Sequence, residues 1–250
     1  MAILYVSSLS VEVNALAQRL TGLRKLKWPI DYAWEGILEG RRVLLAANGA
    51  GPKLATQAVE VAIRSVTAGH LSSSRLEAIV STGFCGGLDP ELRESQIVVA
   101  TEVLNLETQE KFATTPISGG GTAPVGLIVT QDRIANSAEE KRQLRATGAI
   151  AIEMEAAAVA ARAKRAGLPF ACIKVVTDRA DESFGFDVNR MRSEDGRIRR
   201  GKIGIYALAH PNVIPELLRL RRRTNDAVKV LGEFLVNCRI NSEPAGNQPE

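Results

Sequence analysis

Short apolar runs alternate with segments of helical period along most of this chain. Residues 3–7 read as a first buried strand, and residues 11–23 as an amphipathic helix. Residues 32–38 and 42–47 are strand-like with the turn dipeptide Glu39-Gly40 between them, which predicts a hairpin. Asn48-Gly-Ala-Gly-Pro52 then opens a helix over 53–68. Further strands are expected at 76–81, stopped by the glycine-rich run 83–90, at 96–103, which is rich in Val and Ile, and at 127–130. A helix is predicted over 138–145. Residues 104–124 show little periodicity and contain a GGG run, the composition of a loop or an edge hairpin.

The most informative stretch, residues 148–181, reads as strand, helix, strand. Residues 149–153 are apolar, and 155–166 are Ala-rich with a stop supplied by Gly167 and Pro169. Residues 169–177 form a second apolar run. Strands apolar on both faces are expected in parallel sheets buried under helices, and a crossover between them predicts that the two lie side by side. Glu155 and Asp178 then fall just past strand ends, on the edge where ligands bind in open α/β sheets. Residues 182–202 are polar and read as a long loop able to fold over a site. A last helix covers residues 210–237, and NSEPAGNQPE at 241–250 has the composition of disorder.

At 250 residues and 45% apolar content the chain can bury one large core, so a single α/β domain over 1–238 with a polar tail at 239–250 is expected. MAILYVSSLS reads as a core strand, too short and polar for a signal peptide or membrane span, which implies a cytoplasmic protein. Cys85, Cys172 and Cys238 show no CxxC spacing and fit reduced thiols. The two histidines are far apart in sequence, which argues against a His-based metal site; neither a metal nor a redox cofactor is expected. A net charge of +4 suggests an anionic partner, yet the basic residues form no aromatic-interleaved patch, so nucleic acid is not expected. Arg219, Arg221, Arg222 and Arg223 cluster on the last helix, either as a solvated face or as a surface for an anionic partner.

Unusual residues stand at five strand ends: Glu12, the Gly49/Gly51 pair, residues 83–87, Glu155 and Asp178. Their clustering argues for one pocket. Gly83, Gly86 and Gly87 allow close backbone approach to a ligand and expose amide donors. NGAGP is equally well explained as a tight strand-to-helix turn, and matches neither GxGxxG nor a P-loop.

Two long motifs carry a family resemblance: STGFCGGLDPELRESQIVVATEV at 81–103, and AIEMEAAAVA followed by GLPFACIKVVTDRAD. The chain resembles the purine and uridine phosphorylase superfamily over residues 1–181, and within it the 5′-methylthioadenosine/S-adenosylhomocysteine nucleosidases. The resemblance implies a three-layer α/β/α fold with a central mixed sheet and cleavage of a purine N-glycosidic bond. Such cleavage passes through an oxocarbenium-like state, and adenine leaves well only when a ring nitrogen is protonated. Asp178 is the implied general acid, which requires an elevated pKa that burial would favour and Arg179 would oppose if it pointed inward; the alternative is an N-cap. Glu155 is implied to hold the ribose 2′- and 3′-hydroxyls, the alternative being a first-turn carboxylate favoured by the helix dipole. Met154 packs on the sugar or fills the core. Glu153, counted with the substrate-binding residues, points differently and reads as playing a structural part. Thr82, Gly83, Phe84, Ile134 and Phe184 complete the expected substrate-binding set. Glu12 matches in position the acid that activates water, against a plain exposed helix residue.

Where phosphorylases hold phosphate with Arg and Ser, this chain has Ser81 and Phe84, which favours water as nucleophile unless Arg93 or Arg133 supplies the charge. Ile134 stands where the nucleosidases have an aromatic residue. The part beyond residue 183 is similar to the hopanoid-associated phosphorylases, and Phe184 and Phe186 either line an apolar 5′ site or anchor the loop. The reading is an adenine-releasing nucleosidase. A phosphorylase acting on a nucleoside or adenosyl lipid is the alternative, and a non-catalytic nucleoside-binding protein is a second one. A membrane partner is not expected unless the substrate is a lipid. Self-association, with a dimer favoured, is implied by the resemblance, and the hairpin region near Trp28 and Trp34 is a candidate interface.

Overall fold

The computed structural model describes residues 1–69, 75–191, 193, 210 and 213–241. Its elements are β1 (Ala2–Ser7), α1 (Ser10–Ala17), β2 (Thr21–Lys25), β3 (Tyr32–Leu38), β4 (Arg41–Ala47), α2 (Pro52–Thr67), β5 (Leu76–Gly87) and β6 (Ile97–Asn105). They continue with β7 (Lys111–Ala113), β8 (Ile117–Gly119), β9 (Val125–Thr130), α3 (Ala138–Arg145), β10 (Ala151–Glu153), α4 (Ala156–Arg165) and β11 (Phe170–Asp178). A 3₁₀ turn (Val188–Met191), α5 (Ile214–Asn237) and β12 (Cys238–Ile240) complete the elements of the described residues.

Apolar residues at alternate strand positions face opposite sides of the sheet, and helices cover both sides. Leu4 and Val6 of β1 pack with Ala58 and Val59 of α2 and Ala160 of α4. Ile3 and Tyr5 pack with Leu16 of α1 and Leu231 of α5. The result is the expected three-layer α/β/α arrangement around a mixed sheet. The strand order is β10-β9-β6-β11-β5-β1-β4-β3-β2, with β7 on β6 and an additional pairing of β10 with β5. That last pairing closes β5, β11, β6, β9 and β10 into a ring. Leu44, Ile79, Ile128 and Ile173 are fully buried, and each such side chain contributes about 1.5–3 kcal/mol.

Three expectations are corrected. β10 and β11 are not parallel neighbours: β5 runs between them, antiparallel to β10 and parallel to β11. The glycine-rich run does not stop β5, which continues to Gly87 and offers Gly86 to Ile152 on one side and to Asp178 on the other. Both chains reach β5 because the residue between them has no side chain. The first helix ends at Ala17, well short of residue 23, because Thr21–Lys25 pairs with β3 as an edge strand. The hairpin and the helix at 138–145 lie where the pattern placed them. Residues 104–124 contribute short strands to β6 and to β12, and β12 carries ordered pairing to Ile240. Residues 192 and 194–202 of the predicted loop 182–202, and residues 242–250 of the predicted tail, lie outside the described residues.

Helices α1 and α5 meet where Gly232 faces Ala15: a Cβ added at 232 would stand 2.3 Å from the Ala15 Cβ. Gly232→Ala gains about 1 kcal/mol of helix propensity but overpacks this crossing, at a cost of about 1–3 kcal/mol. The expected outcome is a lower urea midpoint than wild type; an equal or higher midpoint would show that the helices separate freely.

Candidate active site

A cavity of ≈ 390 Å³ opens where the five strand ends converge, and its wall includes Glu12, Ala50, Phe84, Gly86, Glu155 and Asp178. Every one of the five strand ends singled out in the sequence therefore reaches one space. Ile134, Met154, Glu153 and Phe184 also line it, as do Thr177, Phe186, Leu217 and Leu220. The wall does not include Thr82 or Gly83, which lie behind it.

Glu12 is 1% exposed and is no plain helix residue. Its carboxyl turns back over the start of α1, where Oε2 accepts from the Leu9 amide at 2.6 Å and the Ser8 hydroxyl at 3.0 Å. Its Oε1 accepts from the Phe84 amide at 3.0 Å. Gly83 permits this approach, since its φ is +128° and a Cβ there would stand 2.6 Å from Oε1. Burial pushes the Glu12 pKa up, opposed by the Leu9 and Phe84 amides and the charge of Lys174.

Glu155 stands at the N-terminus of α4 with its side chain directed across the cavity, where Oε1 accepts from the Gly51 amide at 2.7 Å. The NGAGP turn thus supplies a donor to a carboxylate of this chain. Burial, reinforced by Glu153, pushes the Glu155 pKa up to about 8 against the pull of Lys174 and the Gly51 amide. Glu153 is bound into the frame of the site: Oε2 accepts from the amides of Glu155 (2.9 Å) and Ala156 (2.8 Å) and pairs with Lys174 Nζ at 2.9 Å. Its Oε1 accepts from the Thr130 hydroxyl. Lys174 is 1% exposed and also donates to the Thr82 carbonyl at 3.4 Å.

Asp178 is the last residue of β11 and 7% exposed. Its neighbour Arg179 turns outward to Asp181, 3.0 Å away. The cation beside Asp178 is Lys141, fully buried on α3, with Nζ 2.5 Å from Oδ2. Thr177 donates from its hydroxyl to Oδ1 at 2.9 Å. These partners are side chains, unlike those of an N-cap.

The segment after β11 is clasped to α5. Arg223 grips Glu182 with two bonds of 2.8 Å and reaches Glu94 at 2.6 Å, while Glu216 accepts from the Gly185 amide at 2.9 Å. Phe184 and Phe186 are thereby held against the cavity opposite Leu217 and Leu220. Arg223 is thus a structural clasp, whereas Arg219, Arg221 and Arg222 are exposed. Arg133 at the rim is paired with Glu140, and Arg93 borders a different hollow with Gln96 and Arg179. Among the described residues no three His, Cys, Asp or Glu side chains form a metal-ligand group, and no helix is long and apolar enough to cross a membrane.

The sequence pattern did not single out Lys141 or Lys174. Lys174 had a signal, a lone cation inside the apolar run FACIKVVT, which demands a buried partner. Lys141 had none, because AEEKRQLR reads as a solvated helix.

The raised pKa of Glu155 has a consequence for stability. The folded protein holds a proton on this group that the unfolded chain releases near its ordinary value of 4.5, so stability falls as pH rises from about 5 to about 8. Glu155→Gln cannot ionise and retains an acceptor for Gly51. The variant is expected to gain stability over wild type across that window, by at most about 1.4 kcal/mol per pH unit. Urea unfolding at several pH values checks this, and a difference independent of pH would refute it.

The model for the phosphorylase superfamily matches residues 3–125 and 118–200. A 5′-methylthioadenosine/S-adenosylhomocysteine nucleosidase of Staphylococcus aureus is 24% identical over 203 residues, 70% of this chain and 86% of the relative. The nucleosidase of that name from Neisseria meningitidis, in complex with methylthio-immucillin-A, superposes with a TM-score of 0.66 at 22% identity, over 94% of this chain and 98% of that one. The Campylobacter jejuni enzyme does so with a TM-score of 0.68 at 17% identity, over 94% and 97%. The family model spans well over half of the sequence, and the chain belongs to the phosphorylase superfamily.

Proposed function

We propose that this protein is a purine nucleosidase that hydrolyses the N-glycosidic bond of a 5′-substituted adenosine of the methylthioadenosine type and releases adenine. The observation that carries this reading is the convergence of Glu12, Glu155 and Asp178 on one cavity, each with different partners. Asp178 protonates the departing base as the bond lengthens. Glu155, with one oxygen anchored on Gly51, holds the ribose hydroxyls where positive charge develops. Glu12, whose burial raises its basicity, takes the proton of the attacking water. Water is favoured over phosphate because the described basic side chains at the cavity are already paired: Arg133 with Glu140 and Lys141 with Asp178. The relatives named for methylthioadenosine and adenosylhomocysteine support this substrate class. Phe184, Phe186, Leu217 and Leu220 support an apolar 5′ substituent, a thioether or a longer tail.

Purified protein incubated with methylthioadenosine, adenosylhomocysteine, adenosine and inosine, each with and without phosphate, is expected to release adenine without phosphate. Formation of ribose 1-phosphate products would replace hydrolysis with phosphorolysis. Asp178→Asn is expected to lower kcat by about 10²–10⁴, and a variant equal to wild type would remove Asp178 from the chemistry.

A further inference from the structure

Lys141 enters the reading above only as a paired charge, yet its place beside Asp178 is closely constrained. It is fully buried, donates to the Arg179 carbonyl at 2.6 Å, and stands 2.5 Å from Asp178 Oδ2, with the Phe184 ring 5.8 Å away. A lysine stripped of water and held by two oxygens fixes the carboxyl that it touches. Oδ2 is confined on its other side as well, because a Cβ on Gly86 would stand 2.9 Å from it. Oδ1 has a different neighbour. The Thr177 hydroxyl carries one proton and faces two acceptors, Oδ1 at 2.9 Å and the Cys85 carbonyl at 3.2 Å.

We propose that Lys141 is the positioning residue of the general acid: it clamps Oδ2 of Asp178, so that the proton exchanged with the departing base is carried on Oδ1. When Oδ1 holds that proton, the Thr177 hydroxyl donates to Cys85 and its lone pairs face the acid. When the proton has passed to the base ring nitrogen, the hydroxyl turns and donates to the Oδ1 left behind. One proton moves and one hydroxyl rotates; Lys141 keeps its charge and balances the carboxylate formed. The inference rests on the reading of Asp178 as general acid. Other ionisable groups around Asp178 are engaged elsewhere: Arg223 of α5 with Glu94 and Glu182, and Arg179 with Asp181. On β5 the neighbouring thiol of Cys85 is buried, its pKa pushed well up by that burial. Lys141 is the cation in direct contact.

The test compares wild type, Lys141→Met, Lys141→Arg, Asp178→Asn and the double variant Lys141→Met/Asp178→Asn, with kcat and KM measured from about pH 5 to 9 on the nucleoside that wild type turns over best. Lys141→Met is expected to lower kcat by about 10²-fold while KM changes by less than about threefold. Lys141→Arg recovers part of the rate. In the Asp178→Asn background Lys141→Met adds less than about threefold, because it acts through the carboxyl already removed. Thermal unfolding identifies a variant that does not fold, and Lys141→Gln, a neutral donor of similar reach, then takes the place of Lys141→Met. Wild-type kcat in Lys141→Met, no recovery of rate by Lys141→Arg, or a full additional loss in the double variant overturns the proposal and leaves the nucleosidase reading standing. Absence of base release by wild type overturns both.

Discussion

The buried pair between Lys174 and Glu153 is the interaction on which the site depends. Lys174 lies on β11, Glu153 ends β10, the Thr130 hydroxyl reaches Glu153 from β9, and the Thr82 carbonyl reaches Lys174 from β5. One ion pair therefore ties together four of the five strands that close the ring. Glu153 also satisfies two amides at the start of α4, which would otherwise be buried donors without partners. Removing either charge would strand the other in a medium that cannot solvate it, a loss of about 3–5 kcal/mol.

The same pair sets the electrostatics of the cavity. Glu153 is matched by Lys174, and Glu155, two residues on, is left as the carboxyl that must respond to its neighbours. Its pKa rises while Lys174 limits the rise. Asp178 takes its cation from α3, and Glu12 receives main-chain and hydroxyl donors only, so three carboxyl groups within one cavity occupy three distinct environments. Divergence of this kind lets like residues carry unlike tasks. The apolar half of the cavity has a separate support, the Arg223 clasp, which brings the two phenylalanines to α5.

Much of the frame was legible in the chain because strand and helix periods are local properties. The hairpin β3–β4 and the alternation of strands with helices follow from apolar spacing, the α/β/α layering was implied by the family resemblance, and Glu12, Glu155 and Asp178 were visible as polar interruptions at strand ends. Pairing was less legible. β10 is three residues long, and nothing in AIE says whether it lies beside β11 or across the end of β5. The glycines at 83–87 read as a strand stop because glycine commonly ends strands, whereas here they let β5 continue between two close neighbours. Glu12 remained ambiguous, since the Phe84 amide that holds it comes from 72 residues away.

Residue type and short-range period alone settled most of the run of elements and the presence of the three carboxyl groups. Tertiary structure decided what those groups can do. The cation beside Asp178, the donor on Glu155, and the difference between a structural Glu153 and a responsive Glu155 all arise from side chains brought together across many residues. A carboxyl group's charge and direction depend on the partners that replace its water. Those partners exist only once the strands have closed around it.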